Sequence, residues 1–300
     1  MNTANISLLK NTVLLPLDGT MDSFTGGVYT AEGQFVEDSL LHRGKPALFQ
    51  KYVEELSGTY IYGGCLFGHF GHFIWESLSR LYAIRQCKDY PILFISPNDK
   101  IYDVHSLLFK TIGIRNEIRL VKIPTSVNNL IYSPPGSSIS PLFIIDEQIN
   151  KMQYFTFSKN GNKSKTTKEK IWLSRSKLKN GKVTNEHEIE EKLRKIGYTI
   201  IHPEALHFRE QVRLISTSDV VAGFDGSAFF SLLFAKEIRS KFIVFNRRRD
   251  IPKTIPYVFQ KRNVEFNQYI FDLQPINEEW PVSLFYHSEP NKLIEVLGEC

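Results

Sequence analysis

Residues 170–245 read KIWLSRSKLKNGKVTNEHEIEEKLRKIGYTIIHPEALHFREQVRLISTSDVVAGFDGSAFFSLLFAKEIRSKFIVF, and their rhythm decides the fold. Short apolar runs at Lys170 to Ser174, Tyr198 to Ile201, Asp219 to Ala222 and Lys241 to Phe245 read as strands. Between them, Asn185 to Ile196, Phe208 to Thr217 and Ser227 to Lys236 have helical spacing. Asn185 is placed to cap the first helix, with Glu188 three positions on as a capping-box variant. Strands and helices that alternate in this way predict a parallel sheet with helices packed on its faces.

The same alternation extends towards the N-terminus. Strands are expected at Thr59 to Tyr62, Pro91 to Ser96, Ile118 to Ile123 and Leu130 to Tyr132. Helices are expected from Gly71 to Gln86 and from Tyr102 to Ile112, the latter stopped by Gly113. Residues 1–57 give no clear pattern. Residues 158–168, SKNGNKSKTTK, are polar and basic with no apolar anchor, and read as a loop or linker. The chain is therefore expected to form two α/β domains, residues 1–157 and 158–300, with the C-terminal tail free to pack back on the first.

Composition supports a folded chain with a sizeable core. Of 300 residues, 42% are apolar and 23% charged, and there are 22 Phe and 13 Tyr, so no staples are needed. The three cysteines, Cys65, Cys87 and Cys300, form no Cys-x-x-Cys pair, which argues against a disulfide framework or a structural zinc and fits a reducing compartment. No signal peptide or membrane-length apolar run is visible, so a cytoplasmic protein is expected, with room for peripheral contact at the inner face of the membrane. The net charge of +5 is local: residues 159–182 hold nine basic side chains and one acid, leaving the remainder of the chain at −3. That distribution argues against a nucleic-acid-binding surface. Arg247, Arg248 and Arg249 read as a solvated basic loop or a contact for acidic headgroups.

Two groups of residues carry chemistry. The first lies in GHFGHFIWESLSRLYAI, residues 68–84. On a helix with about 100° per residue, Glu76 falls about 40° and Arg80 about 80° from His72, a polar stripe on an otherwise apolar helix. A His one turn from a carboxylate is a general-base arrangement in which either group could take the proton. Arg80 is suited to a phosphate or sugar acid, and His69 stands beside the stripe. Read instead as metal ligands, His69, His72 and Glu76 have a His spacing of three, which does not match the zincin spacing of four. The second group is DVVAGFDGSAFFSLLFAK, residues 219–236, a strand, a turn with Gly223 and Gly226, and a helix that Ser227 is placed to cap. A helix N-terminus after such a turn suits an anion, and Ser174 with Arg175 ends the KIWLS strand where a diphosphate would lie. The turn lacks the dinucleotide fingerprint, and Asp-x-Asp occurs nowhere.

Taken in order, these motifs resemble glycosyltransferase family 61, including its bacterial members of the capsular polysaccharide biosynthesis type. GHFGHFIWESLSRL is similar to the family's aromatic–His–(x)3–Glu–(x)3–Arg helix. WLSRSK, the Asn-Glu that opens a helix, Glu204, Leu206, Phe208 and Gln211, and the Gly-rich turn follow the family's C-terminal series. Asp225 stands where the family often has His. The resemblance implies a GT-B-like fold of two Rossmann-like domains facing a central cleft, an inverting mechanism, a nucleotide-sugar donor with UDP as the commonest nucleotide, no bound metal, and a glycan or lipid-linked glycan acceptor in capsule or lipopolysaccharide biosynthesis. Carried over residue by residue, His72 and Glu76 are expected at the chemistry, Ser174, Arg175, Glu204, Gly226 and Ser227 at the donor, and His69 and Arg80 on the acceptor side; Asp225, which departs from the motif, is a candidate for an acidic catalytic role in place of the His or for a contact to donor or acceptor. The rival readings are a polysaccharide pyruvyltransferase-like enzyme, a catalytically inactive glycan-binding or assembly protein, and a metallohydrolase built on His69, His72 and Glu76.

Overall fold

Unbroken apolar strands such as Ile92–Ile95 and Val220–Phe224 demand cover on both faces, and in the computed structural model every residue of both is buried. The structure describes residues 5–20, 23–87, 89–97, 100–157, 169–277 and 284–299, so the basic 158–168 segment and Cys300 lie outside the described residues. The chain forms two compact units, Met1–Gln153 and Tyr154–Cys300.

The first unit is built on a seven-stranded sheet. Its strands are β1 (Ser7–Gly19), β2 (Phe24–Tyr29), β3 (Gly44–Pro46), β4 (Glu54–Cys65), β5 (Ile92–Ile95), β6 (Ile118–Val121) and β7 (Thr125–Tyr132), in the order β3-β2-β1-β7-β4-β5-β6. β7, β4, β5 and β6 run parallel, but β1 is antiparallel to both β2 and β7. The expectation of a parallel, Rossmann-like first domain is thereby corrected. The unread N-terminal residues supply three strands, and β1 and β2 are joined by too few residues for a parallel crossover. Around the sheet lie α1 (Phe70–His72), α2 (Leu81–Ile84), α3 (Asp103–Thr111), a small ribbon of β8 (Ser137–Ser138) and β9 (Phe143–Ile144), and α4 (Asp146–Met152).

The second unit follows the sequence reading closely. β10 (Lys170–Leu173), β11 (Tyr198–Ile201), β12 (Val220–Phe224), β13 (Lys241–Phe245) and β14 (Phe266–Tyr269) form one fully parallel sheet in the order β11-β10-β12-β13-β14. α5 (Glu186–Lys195), α6 (Phe208–Thr217) and α7 (Thr254–Lys261) lie in its connections, and Gly197, at φ 87°, gives α5 the left-handed residue that ends a helix. The hairpin of β15 (Leu273–Asn277) and β16 (Leu284–His287) precedes α8 (Pro290–Gly298), whose Leu293 and Leu297 join Trp172, Phe224 and Phe245 in the core of the same unit. Asn185 does not cap α5 with its side chain. Its amide exchanges two hydrogen bonds of 3.0 Å with the main chain of His287 and so ties α5 to β16. The strand order reverses between β10 and β12. In sheets of this kind the crevice beyond the carboxyl ends of those two strands is the ligand position.

Candidate active site

The helix expected over 71–86 is broken. α1 gives way to a π-turn at Phe73–Ser77, where the Leu78 N–H bonds the Phe73 carbonyl at 3.0 Å, and regular helix resumes only at Leu81. Buried side chains meet main-chain groups along the break. Ser137 Oγ donates to the Trp75 carbonyl (2.7 Å), Gln148 Nε2 to Leu78 (2.6 Å), and Gln148 Oε1 accepts from the Tyr82 N–H (3.1 Å). Such local matching fixes an irregular segment firmly.

The break divides the expected stripe. His72 and Glu76 remain together, with His72 Nδ1 2.7 Å from Glu76 Oε2. Arg80 is turned away and fully buried. Its Nε donates to the Ser133 carbonyl (2.8 Å), an NH2 group donates to the Asp38 carbonyl, and the guanidinium lies over the rings of Tyr62 and Tyr132. Gly64, at φ 93°, leaves the space that Arg80 fills, and a Cβ there would collide with the guanidinium. Arg80 is therefore a brace for two loops.

Arg43, from a stretch the sequence left unread, is the arginine that pairs with Glu76. Its two guanidinium nitrogens hold the two oxygens of Glu76 at 2.5 and 2.7 Å, and its cation lies over Phe67. Glu76 is 1% exposed, while His72 keeps about a quarter of its side chain open. His69 is exposed, with its ring edge-on to His72 at 5.3 Å. Among the described residues no group of three or more His, Cys, Asp or Glu side chains is disposed to hold a metal ion. For His69, His72 and Glu76 the reason is visible: a guanidinium already occupies the carboxylate a cation would need.

At the switch point of the second unit, Ser174 and Arg175 follow β10, and Asp225, Gly226 and Ser227 follow β12. Ser174 is buried. It donates to Glu190 (2.6 Å) and accepts from the Ser176 N–H (3.0 Å), which shapes the turn. Arg175 donates from Nε to the Gly181 carbonyl (2.8 Å). Gly226 has an extended φ of −177°; what it supplies is room, because a Cβ there would strike the Arg175 guanidinium. Ser227 opens a 3-10 helix, Ser227–Phe234, rather than capping an α-helix. Gln211, on α6, bonds Ser231 of that 3-10 helix (2.8 Å).

Asp225 is wholly buried and lies inside a cluster of arginines. Its Oδ1 accepts from the Arg247 N–H (2.7 Å), and its main-chain oxygen accepts from Arg247 Nε (2.9 Å). Its Oδ2 has no hydrogen-bond partner among the described residues, with Arg247 Nε at 3.4 Å and Arg248 Nε at 3.8 Å. Asp225, expected at the chemistry, is wholly buried in this structure and pins the end of β13 to the end of β12. Arg247 and Arg248, read as a solvated loop, fold back on this carboxylate instead. Glu204 is exposed in the turn after β11, 3.9 Å from His202, and its charge reaches Arg175.

Residues 70–243, more than half of the chain, match the glycosyltransferase 61 family model. The chain belongs to glycosyltransferase family 61. No curated protein matches it. The protein is thus a glycosyltransferase, an enzyme that in general carries a sugar from a nucleotide-sugar donor to a glycan acceptor. Both clusters fall in the family-61 stretch except for Arg43, His69, Arg247 and Arg248, which lie outside it.

The electrostatics separate the roles in this glycosyltransferase. Burial pushes the Glu76 carboxyl up, but the hydrogen bonds from Arg43 and His72 outweigh it and hold the group below the usual range. Glu76 is therefore a carboxylate that accepts from both partners, which places a hydrogen of His72 on Nδ1. Burial lowers Arg175, opposed by Asp225, Glu186 and Glu204, and lowers Arg247 to about 10. Both remain cations at neutral pH, so this end of the sheet can receive an anion. No helix among the described residues is long and apolar enough to cross a membrane.

Proposed function

We propose that this protein is an inverting, metal-independent transferase of the GT-B type that moves a sugar from a nucleotide diphosphate donor, UDP in the first instance, to a glycan acceptor in capsule or lipopolysaccharide biosynthesis. The second unit binds the donor and the first supplies the base. In this reading the enzyme works at the cytoplasmic face of a membrane, on a lipid-linked acceptor.

The observation that carries the reading is His72 Nδ1 at 2.7 Å from a Glu76 whose two oxygens Arg43 already holds. Nε2 takes the proton of the acceptor hydroxyl as its oxygen bonds to the anomeric carbon and the diphosphate leaves from the opposite face. A single displacement inverts the configuration. Glu76 orients the ring and stabilises the imidazolium that forms, and its low proton affinity makes it a poor base. Arg175, with Arg247 behind it, and the first amide groups of the 3-10 helix at Gly226 and Ser227 meet the charge of the leaving diphosphate, which a metal supplies in other designs. Glu204 accepts from a ribose or sugar hydroxyl in this reading.

Replacing His72 with Ala removes the base and is expected to lower sugar transfer by about two to four orders of magnitude. UDP binding, followed by thermal shift, should stay within about twofold of wild type. Full transfer by His72→Ala, or stabilisation by phosphoenolpyruvate and by no nucleotide diphosphate, would overturn this reading.

A further inference from the structure

Glu186 lies directly beneath the Arg175 turn and has no part in the mechanism above. It is the first residue of α5 and is fully buried. Its Oε1 accepts two hydrogen bonds of 3.0 Å, one from the Trp172 indole and one from the Arg175 N–H. Its Oε2 has no hydrogen-bond partner among the described residues. A buried carboxylate with one oxygen unmatched is costly, and its neutral form largely avoids that cost. Burial, helped by Glu190, pushes Glu186 up to about 7, against the hydrogen bonds from Arg175 and Trp172 and the charge of Arg175. Glu186 thus sits at the edge of ionisation beside the arginine that meets the donor.

The groups around it have clear charges near neutral pH. Glu190, on the next turn of α5, is a carboxylate: burial raises it, but the hydrogen bonds from Ser174 and Ser176 hold it low. Arg175 stands after β10, and Arg247 and Arg248 stand beyond it around Asp225. His287, bonded to Asn185 from β16, is neutral, because burial lowers it to about 4.

We propose that Glu186 is a positioning residue of the donor site that sets the Arg175 main chain and takes up a proton from solvent when the donor diphosphate docks. The proposal rests on the donor reading of the second unit. A diphosphate on Arg175 adds negative charge close to Glu186 and shifts it to the neutral acid. Oε1 goes on accepting from the Arg175 N–H in either state, so the turn keeps its shape while the site sheds one negative charge. Donor affinity must then fall as pH rises.

Isothermal titration of the full-length protein with UDP, at about pH 7.5 in buffers of different ionisation enthalpy, reads the proton directly. Wild type is expected to take up as much as about three-quarters of a proton per site more than Glu186→Gln, which keeps an acceptor for Arg175 but cannot ionise. Across about pH 6.5 to 8.5 the wild-type Kd should rise roughly tenfold relative to that of the variant. Equal proton uptake in the two proteins would overturn the role of Glu186 and leave the donor reading standing. Failure of UDP and every other nucleotide diphosphate to bind would overturn both. Should Glu186→Gln not fold, absence of proton uptake by wild type is itself enough to reject the proposal.

Discussion

Each unit holds a buried carboxylate gripped by arginine, and the two grips differ in kind. Glu76 has both oxygens matched, by the guanidinium of Arg43 and the ring of His72. Asp225 is approached by more cations, yet its carboxylate accepts only from the Arg247 main chain at Oδ1, and the guanidinium groups stand off Oδ2 at 3.4 and 3.8 Å. The outcome is opposite. Burial tends to raise both groups, but Glu76 ends below its usual value and Asp225 above. Directed hydrogen bonds, more than the number of nearby charges, decide whether a buried carboxyl stays ionised. The carboxylate of the first unit orients the ring proposed as the base. The second holds a half-satisfied one as a brace between the ends of β12 and β13.

The same small change, carboxyl to amide, separates the two grips, and the larger effect is expected in the first unit. Glu76→Gln leaves Arg43 without its counter-charge and presents His72 with an amide that can donate as well as accept. A loss of about 2–3 kcal/mol is expected from denaturant melts at neutral pH, towards the low end for a broken buried pair because Arg43 is partly exposed. Transfer activity should fall by at least about 100-fold through loss of ring orientation. The pH dependence has a definite sign. The folded-state value of Glu76 is depressed, so its contribution is fully present above the unfolded value, about 4, and is lost as pH falls through the folded one. The stability gap between wild type and Glu76→Gln should therefore close in acid. A gap that widens in acid would show that Glu76 is not held as a carboxylate.

Asp225→Asn should cost less, about 1 kcal/mol at neutral pH, because burial already disfavours the charge that the amide removes. Its pH dependence runs the other way. With the folded value raised, the ionised group lowers stability as pH rises from the unfolded value through the folded one. Wild type should exceed Asp225→Asn most in acid, and the gap should shrink towards neutrality. Parallel melts of the two amide variants across the acid range would thus show opposite slopes. Slopes of the same sign would mean that the two grips are electrostatically alike.

The second unit was legible because its order is local. The four strands read between Lys170 and Phe245 are apolar runs separated by amphipathic helices, and a parallel sheet buries such runs on both faces. The first unit resisted because much of its sheet comes from β1, β2 and β3, whose partners are set by long-range pairing: Leu8 of β1 meets Ile131, and Thr12 meets Val127. The site divides along the same line. His72 and Glu76 are one turn apart and visible in the spacing, whereas Arg43 lies 33 residues before Glu76, and no periodicity links them. Arg80 misled because the wheel assumed an unbroken α-helix, and the π-turn at Phe73–Ser77 shifts every later side chain. Arg247 and Arg248 carried a signal that was missed: they directly follow β13, at the same sheet end as Ser227 and Arg175.

The smallest effect is expected at Ser227, and it sharpens the contrast from the donor side. The sequence casts Ser227 as a capping side chain, whose loss would cost about 1 kcal/mol. In the structure the cap position belongs to Gly226, and the Ser227 hydroxyl has no hydrogen bond among the described residues. Ser227→Ala should therefore leave stability within about 0.5 kcal/mol of wild type. It should also leave UDP affinity nearly unchanged, because the amide groups that open the 3-10 helix belong to the main chain and survive the substitution. Replacing Gly226 with Ala probes the same turn from its other side, since the added Cβ must displace the Arg175 guanidinium. Titration with UDP should find affinity lost in Gly226→Ala and kept in Ser227→Ala. Equal loss in both would return the diphosphate contact to the serine hydroxyl and away from the main chain and Arg175.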